Sequence, residues 1–241
     1  MAYHRQTSRR LSWTAGRVKY PLRQTEPTYP VSSQKAQGRD RPRVHWCPSG
    51  ELASLPLHAG GIYEGKSNDQ VCAADYIVSS YTPSLSAIIR ARKDFVPVQR
   101  HELRAALYAD TGGHGGHTNI PEVKEEVQTA AEILMSSLVR VDLNVNDAST
   151  AESMFERSTG IHILHLACHG QQQQSPLDSS FALKNPLTIS VLMKLDLKNA
   201  MLAYLSACET AKGDNKQPDQ AVHLAASMLF CGFRSVVATM W

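Results

Sequence analysis

The sequence predicts an α/β fold, a mostly parallel sheet sandwiched between helices, and three observations carry that reading. Segments of extended character alternate with helical ones along most of the chain. Two extended segments, Ile161-His-Ile-Leu-His-Leu-Ala167 and Met201-Leu-Ala-Tyr-Leu-Ser206, carry apolar residues on both faces, as expected of strands covered on both sides. The 241 residues, 42% hydrophobic and 20% charged, suffice for one well-buried domain and are too few for two large ones. No run approaches the ~18–20 apolar residues of a membrane-spanning helix. The basic start from Met1 to Arg10 leads into no apolar stretch, so a secretory signal is not expected.

Charge divides the chain. Residues 1–43 hold ten Lys/Arg against Glu26 and Asp40, which is +8 of a total of +3 and leaves −5 for residues 44–241. The basic head, 1–43, is expected to be disordered, and it lacks any zinc or helix-turn-helix pattern that would point to nucleic acid. Residues 44–241 are expected to form the folded domain. Val44-His-Trp46 and the run Leu52 to Leu57 flank a Pro/Gly turn and read as a hairpin. Asp75 to Ser80 is β-rich, and Pro83 to Arg92 is helical, with Ser84 placed as its N-cap. One or two short strands fit between Val96 and Leu107. Asp110 to Thr118 contains four glycines and two histidines; a loop joining strand to helix accounts for them without a ligand. Pro121 opens a helix whose Glu122, Glu125 and Glu126 suit the positive end of the dipole. Its expected buried stripe is Val123, Val127, Ala130, Ala131, Leu134 and Leu138. Then follow a strand from Arg140 to Val145, a helix from Ser149 to Arg157 and the strand Ile161 to Ala167. Short extended pieces at Phe181–Leu183 and Leu187–Ile189 precede a brief helix from Ser190 to Leu195. The strand Met201 to Ser206, a helix from Asp219 to Cys231 stopped by Gly232, and a strand from Ser235 to Met240 complete the order.

Chemistry is expected beyond the carboxyl ends of such strands. One strand runs into Cys168-His169-Gly170 and another into Ala207-Cys208-Glu209-Thr210. If the two strands are neighbours, His169 and Cys208 emerge side by side. That pairing suits a cysteine nucleophile, because the thiolate is the reactive form and an adjacent imidazole accepts its proton. Gly170 has no side chain to bar the approach of a carbonyl oxygen, so the backbone N–H groups of Gly170 and Cys208 could serve as an oxyanion hole. The five cysteines are an odd number without a C-x-x-C, which argues for a reducing compartment rather than a disulfide framework. His165 reads as a core histidine, and Asp178-Ser179-Ser180 as residues that shape a loop through side-chain to backbone bonds.

His165-Leu-Ala-Cys-His-Gly170, Ser179-Ser-Phe-Ala-Leu183, Leu205-Ser-Ala-Cys-Glu-Thr-Ala211 and the run from Ala221 to Trp241 resemble a CHAT domain, a caspase-like peptidase domain related to separases and caspases. Pro48-Ser-Gly-Glu-Leu52, Leu55-Pro-Leu-His-Ala59 and Ser79-Ser-Tyr-Thr-Pro-Ser84 extend the likeness over residues 44–241, with wording closest to fungal members. The resemblance implies a caspase–haemoglobinase-like α/β/α sandwich. It also implies peptide-bond hydrolysis through a thioester, with Cys208 as nucleophile and His169 as acid–base, and without metal or organic cofactor. Asp178 and Glu209 are the candidates for an acid in the substrate pocket. The family usually continues beyond the Trp-ended strand, so the domain is expected to be cut short at Trp241. Expected partners are a protein or peptide substrate, and tetratricopeptide repeats or regulatory proteins outside this chain, with neither nucleic acid nor membrane. A cytoplasmic location is expected, the nucleus left open. The competing reading is a catalytically inactive interaction module.

Overall fold

The computed structural model describes residues 12–15, 18–21, 41–63, 71–93, 97–112, 117–157, 160–171, 173, 175–195, 197, 199–207 and 224–239. The chain forms two compact units, Met1–Trp46 with Leu55–Tyr81, and Cys47–Ser54 with Thr82–Trp241.

The first unit contains β1 (Ser12–Ala15), β2 (Val18–Pro21), β3 (Arg43–Trp46), β4 (Gly61–Ile62), β5 (Val71–Cys72) and β6 (Val78–Tyr81). β1 with β2 and β4 with β5 are antiparallel pairs. β3 pairs in parallel with β6, Arg43 opposite Val78 and Trp46 opposite Tyr81. The hairpin expected over residues 44–57 is therefore not formed. The partner of β3 comes from much later in the chain, and Gly50–Ser54 and Leu57–Ala59 close into 3₁₀ turns instead of a returning strand.

The second unit takes in the turn at Gly50–Ser54 and α1 (Leu85–Arg92), where the Ser84 hydroxyl accepts from the Ala87 N–H at 3.2 Å, the expected N-cap. There follow β7 (Arg104–Ala109), α2 (Glu122–Ser136), β8 (Arg140–Val145), α3 (Ala151–Arg157), β9 (Ile163–Ala167) and β10 (His169–Gln171). β11 (Ser180–Ala182), β12 (Leu187–Thr188), α4 (Ile189–Leu192), β13 (Leu202–Ser206), α5 (Leu224–Phe230) and β14 (Ser235–Ala238) complete it. Five strands form one sheet in the order β14-β13-β9-β7-β8, every neighbouring pair parallel. β10, β11 and β12 form a separate antiparallel sheet.

Alternation along the strands divides the core into two layers. Ala105, Leu107 and Ala109 of β7 meet Val123, Val127 and Ala131, which recur every fourth residue on one face of α2. The opposite residues, Ala106 and Tyr108, share the other layer with Leu164 and Leu166 of β9, Ala203 and Leu205 of β13, Met154 of α3, Ile189 and Leu192 of α4, and Leu224 and Met228 of α5. Leu107, Leu166, Leu192 and Met228 are wholly buried, each contributing about 1.5–3 kcal/mol over an exposed position. Helices thus cover both faces of a parallel sheet, the architecture the strand pattern predicts.

Both long-range turns out of helices are built alike. After α5, the Gly232 N–H donates to Leu229 at 3.3 Å and the Phe233 N–H to Met228 at 3.1 Å, with Gly232 at φ +116° as expected. After α2 the same pair of hydrogen bonds forms, the Leu138 N–H donating to the Met135 carbonyl and the Val139 N–H to the Leu134 carbonyl. Leu138 holds φ +64° and is 71% exposed. It does not belong to the buried stripe. The helix has already reversed there, and Val139, 7% exposed, turns inward in its place. Among the described residues no helix is long and apolar enough to cross a membrane.

Candidate functional site

Because the five strands are parallel, their carboxyl ends share one edge. Backbone bonds tie these ends together: the Asp110 N–H donates to Ala167 at 3.0 Å, and the Cys168 N–H to Ser206 at 3.3 Å. Ser206 stands opposite Ala167 in the register of β13 and β9. His169 lies two residues beyond Ala167, and Cys208 two beyond Ser206, so the parallel register brings the two candidate-bearing segments off neighbouring strands. Cys208 and Glu209 themselves lie outside the described residues.

His169 begins β10 and is half-buried. Its Nε2 is 2.7 Å from the backbone carbonyl of Thr118. A carbonyl only accepts, so Nε2 carries the hydrogen and, in the neutral ring, Nδ1 is the nitrogen with a lone pair. The Thr118 carbonyl is in turn fixed by the loop that follows β7. Asp110, 1% exposed, accepts the Gly112 N–H on Oδ1 at 2.8 Å. Thr111 donates both its N–H and its hydroxyl to Asn146 Oδ1, each at 3.1 Å, and the Ile120 N–H returns to the Thr111 carbonyl at 2.7 Å. Gly112 sits at φ +97°, with the Thr118 carbonyl occupying the space a Cβ would need.

Beside β9, Glu126 of α2 bridges two strands. Its Oε1 is 2.9 Å from His165 Nε2, and its Oε2 accepts from the Ser206 hydroxyl at 3.0 Å. Burial pushes the imidazole of His165 down from its ordinary value, more than the Glu126 carboxylate pushes it up. His165 is thus a hydrogen-bonded core residue, as expected, with Tyr204 edge-on at 4.9 Å. Glu126 does more than complement the helix dipole. Its place one residue before Val127, on the inner side of the helix, is the sequence signal for that.

Cys168 is 1% exposed, and its thiol is pushed far up by burial and by the nearby Asp110 carboxylate. It points into the layer with Leu164 and Leu166, opposite His165. Such a thiol does not ionise at neutral pH. Gly170 stands opposite Phe181 in the pairing of β10 with β11. Ser179 accepts the Gln173 N–H on its hydroxyl at 3.0 Å, the loop-shaping contact expected of it. Next to β10 lies an open groove of about 580 Å³, lined by Gln171, Gln173, Ser175, Asp178, Ser180 and Thr188. Asp178, exposed, is the one charged side chain among the described residues that line it.

Sequence reasoning did not single out Thr118, Gln171 or His117, and gave Glu126 only a place at the helix dipole. His117 stacks on His169, ring centroids 5.0 Å apart and planes at 23°, and its Nε2 lies 2.7 Å from Gln171 Nε2. Its setting in a glycine-rich loop carried no periodic signal. A histidine beside four glycines, just upstream of a helix, was the only trace.

The chain belongs to the CHAT domain family, which it matches over residues 21–241. Sequence comparison with characterised proteins gives no match. Among solved structures it is similar to the crystal structure of the Arg-specific cysteine proteinase gingipain R (RGPB), at 13% identity and a TM-score of 0.45. That alignment covers 64% of this chain and 35% of the other.

Proposed function

We propose that the chain is a cysteine peptidase that cleaves a protein or peptide substrate with a Cys208/His169 dyad. The observation that carries the reading is the bond from His169 Nε2–H to the Thr118 carbonyl, on a strand end adjoining the one that leads to Cys208. It holds the imidazole as the tautomer whose Nδ1 can take a proton. In the proposed reaction the Cys208 thiol gives its proton to Nδ1, and the thiolate attacks the scissile carbonyl carbon. The oxygen charge is received by the backbone N–H groups of Gly170 and Cys208. As the C–N bond breaks, Nδ1–H returns the proton to the leaving amine. Water, deprotonated by the same nitrogen, then hydrolyses the thioester and frees the thiol.

The groove beside β10 is the proposed seat of a substrate side chain. Beside Pro186, its described lining of amides, hydroxyls and the Asp178 carboxylate suits a polar or cationic group over an apolar one. Glu209 remains a second candidate acid for that seat.

An electrophilic peptide ketone carrying a reporter tests the reading. The expected result is one label, on Cys208, absent in Cys208→Ala and slowed at least ~10²-fold in His169→Ala. Equal labelling of the His169→Ala variant would overturn it. Peptide binding without labelling or cleavage would favour the inactive interaction module instead.

A further inference from the structure

The dyad chemistry leaves His117 unused, yet this ring is held as firmly as His169 itself. Gln171 Oε1 accepts from the Ser180 hydroxyl at 3.3 Å, so its amide nitrogen is the donor toward His117 Nε2 at 2.7 Å. His117 Nε2 is therefore the acceptor, which places the ring's hydrogen on Nδ1. Gln171 lies two residues from His169 along β10, so both side chains leave the same side of that strand. His117 in turn directly precedes Thr118, whose carbonyl holds His169 Nε2. Two short stretches, His117-Thr118 and His169 to Gln171, thus grip each other at three points: the edge of the His169 ring, its face, and the Gln171 amide.

We propose that His117 is the positioning residue of His169, and that the stack fixes the plane in which the His169 imidazole presents Nδ1. The Thr118 carbonyl alone fixes one atom and leaves the ring free to swing about that bond. A ring stacked at 5.0 Å removes that freedom, because rotation of His169 would drive its edge into His117. Gln171 keeps His117 from swinging in its turn. The assignment rests on the peptidase reading for its purpose, but not for its geometry.

Two readouts on the full chain separate these. The first is the ¹⁵N spectrum of the His169 imidazole under mildly alkaline conditions, which distinguishes the Nε2–H from the Nδ1–H tautomer without any catalysis. The second is the rate at which the peptide ketone labels Cys208. The unaltered chain is expected to give the Nε2–H form of His169 alone. His117→Ala is expected to give a mixture of both tautomers and a labelling rate about 10²-fold lower, the scale of a misplaced catalytic group. His117→Phe keeps a flat ring and is expected to retain the single tautomer, with labelling within about tenfold of the unaltered chain. Gln171→Leu, which frees His117 without touching either ring, is expected to fall between the two and answers the question even if His117→Ala does not fold. An unchanged single tautomer in both His117→Ala and Gln171→Leu would overturn the proposal. A chain that shows the tautomer shift but no labelling would uphold the positioning role and sink the peptidase reading instead.

Discussion

The carbonyl of Thr118 occupies the space that a side chain at Gly112 would need, and the same carbonyl accepts the His169 Nε2–H. One glycine therefore governs how the acceptor behind the candidate base is set. Gly112→Ala must either move that backbone or leave φ +97°. A loss of about 1–3 kcal/mol is expected in urea unfolding. The His169 imidazole should also lose its single tautomer by ¹⁵N spectroscopy. Retention of both stability and tautomer would show that the loop has room to spare.

Cys168 and the proposed nucleophile Cys208 should behave in opposite ways. Cys168 is buried with its thiol pushed far up, and Cys231 is pushed up to about 11 by burial. Iodoacetamide applied to the folded chain is expected to leave Cys168 unmodified until denaturant is added, as read by peptide mass spectrometry. Cys168→Ala is expected to leave labelling of Cys208 unchanged while costing stability through the small cavity. Rapid alkylation of native Cys168 would contradict its placement in the core.

Two histidines make the fold sensitive to acid. Burial lowers His162, with a contribution from Arg104, and its Nδ1 accepts the Arg104 N–H at 3.1 Å. Burial also lowers His165. Both bind protons more weakly folded than unfolded, so their contribution is complete above about pH 6.5, the unfolded value. It is lost as pH falls through the folded values. Melting temperature is expected to drop on acidification through that window, and less steeply in His162→Gln. A melting temperature independent of pH below 6.5 would count against this assignment.

Leu138 sits in the left-handed region where a branched side chain costs about 1–2 kcal/mol. Glycine there relieves that strain but adds about 0.5–1 kcal/mol of chain entropy in the unfolded state. The side chain is largely exposed, so little packing is lost. Leu138→Gly is expected to stabilise by a net amount on the order of 0.5–1 kcal/mol, measurable as a raised denaturation midpoint.

Leu138 also marks where the sequence ceases to be legible. A leucine on the helical period of Val127 and Leu134 looks like core, and only the two backbone bonds closing the helix reveal that it has passed the end. The central strands were readable because burial on both faces leaves a run of apolar residues that few other structures tolerate. The partnership of β3 with β6 was not, since a parallel pair far apart in sequence has no turn to announce it. Likewise, the strand from His169 to Gln171 reads as loop, which hides its pairing with the extended piece at Ser180 to Ala182, because three residues carry too short an alternation to detect. The candidate His169 was legible from its strand. Thr118 acts through its backbone and His117 through a ring in a glycine loop, and neither leaves a mark on composition or period.

The bond between His169 and Thr118 spans 51 positions, and the bonds from Asp110 to Ala167 and from Cys168 to Ser206 stitch three strand ends at the same edge. A ligand seated there holds no isolated loop; it draws on the pairing of β7, β9 and β13. Binding and unfolding then become one linked equilibrium, and occupancy at a hundred times the dissociation constant would add about 2.7 kcal/mol to the stability of the whole parallel sheet. A melting curve, with no substrate chosen in advance, becomes an instrument for finding what this edge accepts.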